Sequence, residues 1–75
     1  MVQNVPSLRR ELERSIRART GRRIRDLAVE LGAGRIILRG RAASYHLKQL
    51  AQHGVRDLLP HASVENAIVV ESGVN

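Results

Sequence analysis

Three histidines, seven carboxylates and thirteen basic side chains are the groups in this 75-residue chain that could do chemistry. His46 and His53 stand two helical turns apart, about 10 Å at 1.5 Å rise per residue, too far to share one metal ion. His61 lies beyond Pro60, and there is no cysteine. No metal site is expected, and the histidines read as surface groups. Asp26 and Glu30 are four residues apart on an expected strand, about 13 Å, so they do not make the close carboxylate pair of an acid–base catalyst. Ser7 and Ser44 stand where helix caps are needed, while Ser15 and Ser63 have no evident base beside them. Gly32-Ala33-Gly34 precedes a strand pattern instead of a helix N-terminus, so it reads as a turn and not as a phosphate loop. The chain is expected to be no enzyme and to use no cofactor or small-molecule substrate.

Arginine is what remains, and it is unevenly placed. The first 41 residues carry eleven arginines against Glu11, Glu13, Asp26 and Glu30, a balance of +7. The rest carries Lys48 and Arg56 against Asp57, Glu65 and Glu71, a balance of −1. Twelve of the thirteen basic residues are arginine, whose planar fork matches phosphate oxygens two at a time. The densest stretch supplies a candidate anion-binding set: Arg9, Arg10, Arg14, Arg17, Arg22, Arg23 and Arg25. A charged helix face that is merely solvated is the competing explanation.

The elements that would position these arginines follow from periodicity. Ser7 is expected to cap a first helix in which Leu8, Leu12 and Ile16 form one apolar stripe and Gly21 supplies the stop. From residue 24 to 31 the period changes to two, with Leu27, Val29 and Leu31 alternating with Asp26, Ala28 and Glu30. A Gly-flanked turn leads to a second strand over 35–40, with Ile36 and Leu38 inward and Ile37 outward. Gly40 suggests close packing or an unusual backbone angle. Ser44 is expected to cap a second helix whose buried stripe is Leu47, Leu50, Ala51, Val55 and Leu58. Gly54 inside it suggests a close contact with the sheet or a break. A third strand is expected over 64–70, with Val64, Ile68 and Val70 on one face. The expected fold is α+β: one two-layer αββαβ domain, with two helices on one face of a three-stranded mixed sheet. Its core would span 8–70, with flexible tails at 1–6 and 71–75, fraying from Gly73. A domain this small buries only about 60% of its unfolded surface, so the core is thin. With 43% hydrophobic residues the composition is nevertheless globular.

In this order the chain resembles the BON domain, a small module named for bacterial osmotic-shock and nodulation proteins. Three stretches carry the likeness over nearly the whole chain: Ile36-Ile37-Leu38-Arg39-Gly40-Arg41-Ala42, the helix opened by Ser44, and Val64-Glu65-Asn66-Ala67-Ile68-Val69-Val70. The first is similar to the family's apolar-x-Leu-x-Gly-x-small signature, with Gly40 at the characteristic glycine. The chain departs from the family in its Ala33-Gly34 turn and in Leu59-Pro60-His61-Ala62 before the last strand. The resemblance implies a non-enzymatic module that attaches to phospholipid membranes or supports protein contacts.

The expected function is therefore attachment to anionic surfaces, phospholipid membranes first, through the arginine set. Protein–protein contact or self-association is the alternative, through a patch of the outward Ile37 and Val69. Nonspecific nucleic-acid binding is a third. Against it stand the single aromatic residue Tyr45, which cannot stack several bases, and the absence of a Gly-x-x-Gly loop between helices. The N-terminus lacks a signal-peptide pattern, so the expected location is cytoplasmic or peripheral to a membrane, and periplasmic if a leader precedes this sequence.

Overall fold

Leu8, Leu12 and Ile16 return every four residues, and in the computed structural model, which describes residues 5–71, they form the inner face of α1 (Val5–Thr20). The helix begins two residues before Ser7, inside the segment expected to be a tail. Pro6 permits this, because the N–H it lacks is one of the four that a helix start leaves without an intrahelical partner. Ser7 therefore lies in the first turn and is not the cap. Glu71, also expected in a tail, stays tied to the sheet, because its N–H donates to the Ala42 carbonyl at 2.7 Å; the remaining tail residues, including Gly73, lie outside the described residues. At the other end Gly21 adopts φ +66°, and its N–H donates to the Arg17 carbonyl at 2.7 Å, which closes the helix and turns the chain. Thr20 is fully buried, and its Oγ1 donates to the Ile16 carbonyl at 2.9 Å.

Strands β1 (Ile24–Gly32) and β2 (Arg35–Ala42) form the antiparallel hairpin, and α2 (Tyr45–Leu58) crosses over to β3 (Val64–Asn66) and β4 (Val69–Val70), both parallel to β2. Strand β2 is thus central, with β1 on one side and β3 and β4 on the other. The α+β architecture, with a mixed sheet, is the one the periodicity implies. The expected third strand is interrupted, however. Asn66 Oδ1 accepts the Ile68 N–H at 3.2 Å, while its Nδ2 donates to the Lys48 carbonyl at 2.9 Å. The side chain thereby competes with the ladder, as short amides do. Register survives the break, because Ala67 N–H still reaches the Leu38 carbonyl at 2.8 Å.

Both helices cover one sheet face. Leu12, Ile16, Leu38, Ala51, Val55 and Ile68 are almost fully withdrawn from water, and Ile24, Val29, Ile36, Ala42 and Leu47 complete the core. Each large side chain among them contributes roughly 1.5–3 kcal/mol. Leu58 departs from its expected role: it remains 41% exposed at the end of α2, and Leu59 packs against the core instead. The close approach at Gly54 is to the other helix, not to the sheet. A Cβ there would stand 2.7 Å from Ile16 Cα, and Ser15 Oγ donates to the Gly54 carbonyl at 2.6 Å.

Strand β1 contains a β-bulge. Arg25 pairs with Arg41 and Ala28 with Arg39, so Asp26 and Leu27 together oppose Gly40. Asp26 takes φ +54° and Gly40 φ +151°. A Cβ on Gly40 would lie 2.9 Å from the Arg25 carbonyl oxygen. Glycine is needed there on both counts, angle and contact.

Candidate anion-binding surface

On α1, at 100° per residue, Arg10, Arg14 and Arg17 fall opposite the stripe of Leu8, Leu12 and Ile16, with Arg9 on the flank. All four are exposed. The αL turn at Gly21 then sends Arg22 and Arg23 around the corner into β1, where Ile24 points into the core and Arg25 to the opposite face. The candidate set is therefore divided between the outer side of α1 and the α1–β1 corner.

At that corner the hairpin adds a residue that sequence reasoning left out. Arg41 is the register partner of Arg25, and with Arg22 and Arg23 the two line a cavity of about 420 Å³. Its wall is Ala42, Ala43 and Leu47, which places it beside the N-terminus of α2, where Ser44 Oγ accepts the Leu47 N–H at 3.2 Å. Alternation along β2 signals that Arg41 faces outward, but only the register, offset by the bulge, brings it to Arg25.

Ion pairing divides the basic residues into two groups. All charged side chains lie within residues 5–71, and five of the seven carboxylates are in ion pairs. Glu30 holds Arg39 at 2.6 Å, Glu65 holds Arg35 at 3.0 Å and Glu71 lies 3.9 Å from Arg41, all on the uncovered sheet face. Asp57 receives both Nε and Nη2 of Arg19, at 2.8 and 2.7 Å, across the α1–α2 seam. Hydrogen bonding from Arg19 lowers the Asp57 pKa below the ordinary aspartate value, and Asp57 raises that of Arg19 in return. Of the candidate set, only Arg17 has a partner, Glu13 at 4.0 Å. Among the described residues Arg9, Arg10, Arg14, Arg22, Arg23 and Arg25 are in no ion pair.

Ile37 and Val69 share the uncovered sheet face, and Val69 is 58% exposed. Val69 pairs with Arg41, four steps along β2 from Ile37, about 13 Å. Arg39, turned to Glu30, stands between those positions, so the expected apolar patch is interrupted by charge. His46, His53 and His61 are exposed, and no three metal-ligating side chains come together among the described residues. No helix among them is long and apolar enough to cross a membrane. In comparisons with known proteins, no family model, curated protein or solved structure matches the chain.

Proposed function

We propose that this chain is a non-enzymatic binding module that attaches to anionic surfaces, phospholipid membranes first, through the arginines of α1 and the α1–β1 corner, of which Arg9, Arg10, Arg14, Arg22, Arg23 and Arg25 are in no ion pair among the described residues. The observation that carries this is the segregation of charge. The carboxylates are engaged mainly on the sheet face and the helix seam, which leaves Arg9, Arg10 and Arg14 on α1 and Arg22, Arg23 and Arg25 at the α1–β1 corner in no ion pair among the described residues, while Arg17 and Arg41 have only the long contacts to Glu13 and Glu71. A basic side chain near an anionic leaflet gains about 1 kcal/mol. The resemblance to BON domains supports the same reading.

Flotation with anionic and neutral vesicles at about 0.15 M salt tests it, since surface charge is already screened there. Wild type is expected to float with anionic vesicles alone. The triple variant R10Q/R14Q/R17Q is expected to fold normally and to bind about a hundredfold more weakly, from three contacts of about 1 kcal/mol each. Unchanged binding by that variant would refute the role of the α1 face.

Self-association is the second reading, favoured by the uncovered sheet face with Val69 exposed at its edge. A melting temperature that rises with protein concentration would select it.

A further inference from the structure

The α1–β1 corner is built at an energetic cost. Arg25 and Arg41 are directly opposed in the antiparallel ladder, both on the uncovered face. Opposed side chains in a sheet have Cβ atoms about 4.5–5.5 Å apart, and like charges so placed destabilise the pair. Arg22 and Arg23 border the same cavity, which adds to the repulsion. The one acidic side chain at this cavity is Glu71, and its carboxylate is 3.9 Å from Arg41, at the outer limit of an ion pair. Four arginines against one glutamate leave a formal excess of +3 with no buried partner.

A second feature adds to the positive field. The cavity abuts the first turn of the 14-residue α2. There Ser44 satisfies the Leu47 N–H with its hydroxyl and the Lys48 N–H with its carbonyl. Tyr45 and His46 N–H have no acceptor among the described residues. A helix start presents such groups together with the positive end of its dipole.

We infer that the cavity lined by Arg22, Arg23, Arg25 and Arg41 is a binding site for a phosphomonoester group. The inference rests on the anionic-surface reading and deepens it, because it assigns this corner a chemically selective role that diffuse charge on α1 does not have. A phosphomonoester offers close to two negative charges and three terminal oxygens, and paired arginine forks satisfy such a group bidentately. A phosphodiester offers one charge and two terminal oxygens, so it leaves more of the repulsion uncompensated. The cavity of about 420 Å³ lies within the ~300–1,000 Å³ range of small-molecule sites, and its Leu47 wall suits the carbon portion of the ligand. A lipid headgroup and a soluble metabolite are both sources of that group.

Glycerol 3-phosphate is the soluble probe, with glycerophosphoglycerol as the diester control, followed by amide shifts in a ¹⁵N-labelled sample. Saturable shifts confined to residues 21–25 and 41–47, weaker for the diester, are expected. R23Q/R41Q is expected to weaken binding about a hundredfold, near tenfold for each charge-assisted contact. E71Q, which frees Arg41, is expected to strengthen it by up to about fivefold. K48Q/R56Q, which removes the same charge elsewhere, is expected to leave it within twofold. Shifts spread along α1, equal binding of the diester, or equal losses in R23Q/R41Q and K48Q/R56Q would each overturn the site. Vesicles separate the two proposals. Flotation with phosphatidylglycerol but no response to glycerol 3-phosphate removes the pocket and leaves surface attachment standing. Pocket binding without flotation on phosphatidic acid or phosphatidylglycerol removes surface attachment and assigns the pocket a soluble phosphomonoester.

Discussion

Replacing Gly54 by alanine sets two well-characterised effects against each other. In an exposed helix the change stabilises by about 1 kcal/mol, because glycine has more backbone freedom to lose. Here the new Cβ would sit 2.7 Å from Ile16 Cα, 3.0 Å from Ile16 N and 3.0 Å from the Ser15 carbonyl oxygen. All three are backbone atoms of α1, so no side chain can swing aside. Reaching ordinary contact at 3.4 Å requires the helices to part by about 0.7 Å. A gap of that size forfeits a quarter to a half of each dispersion contact along the seam. Overpacking of this kind costs about 1–3 kcal/mol, and stretching the Ser15–Gly54 hydrogen bond from 2.6 Å costs up to about 1 kcal/mol more. With the propensity gain subtracted and the hydrogen-bond loss near its upper figure, packing loss exceeds propensity gain, and G54A is expected to be destabilised by about 1–3 kcal/mol. At about 2 kcal/mol the melting temperature falls by about 8–16 °C for a domain of this size. Urea unfolding followed by far-ultraviolet circular dichroism reads the change as a lower midpoint at unchanged slope. A midpoint equal to or above wild type would show that the helices do not meet at Gly54, and would refute the packing described here.

Three further outcomes follow from the same geometry. G40A is expected to lose at least about 1–3 kcal/mol, because the residue combines φ +151° with a backbone oxygen 2.9 Å from the new Cβ; thermal melting at wild-type temperature would remove the bulge from its role. N66A gives up the bonds to Lys48 and Ile68 and is expected to cost about 1–3 kcal/mol; hydrogen exchange at Ile68 should quicken, and unchanged protection would contradict the clamp. The depressed Asp57 pKa stabilises the fold fully above the ordinary aspartate value of about 3.9, and that contribution is lost as pH falls through the lowered value. D57N is accordingly expected to show a shallower fall in stability below about pH 4, and parallel acid-unfolding curves would contradict it.

The features legible in the sequence are those that short-range periodicity encodes. The four-residue return of Leu8, Leu12 and Ile16, the alternation around Ile36 and Leu38, and Ser44 ahead of Leu47 identify two helices, a hairpin and a cap, because repeat length dictates which side chains can share a face. The bulge was also encoded, less openly. Ile24 and Leu27 are both core-facing yet an odd number of residues apart, which an unbroken strand cannot achieve. The start of α1 at Val5 was hidden because Ser7 is an attractive cap by type, while Pro6 is equally at home within a first turn.

That arginine dominates the charged side chains, and that it is concentrated in the first 41 residues, is legible in the amino-acid order alone. Composition is additive, so no fold is needed to read it. Which of those arginines are neutralised follows from the folded packing. Glu30, Glu65 and Glu71 reach Arg39, Arg35 and Arg41 across strands, and Asp57 reaches Arg19 between helices, over separations in sequence of 9 to 38 residues. The same holds for Arg41 joining Arg22, Arg23 and Arg25 at one cavity. Ion pairing depends on distance in space, and for residues this far apart only the packing of the sheet and helices determines that distance.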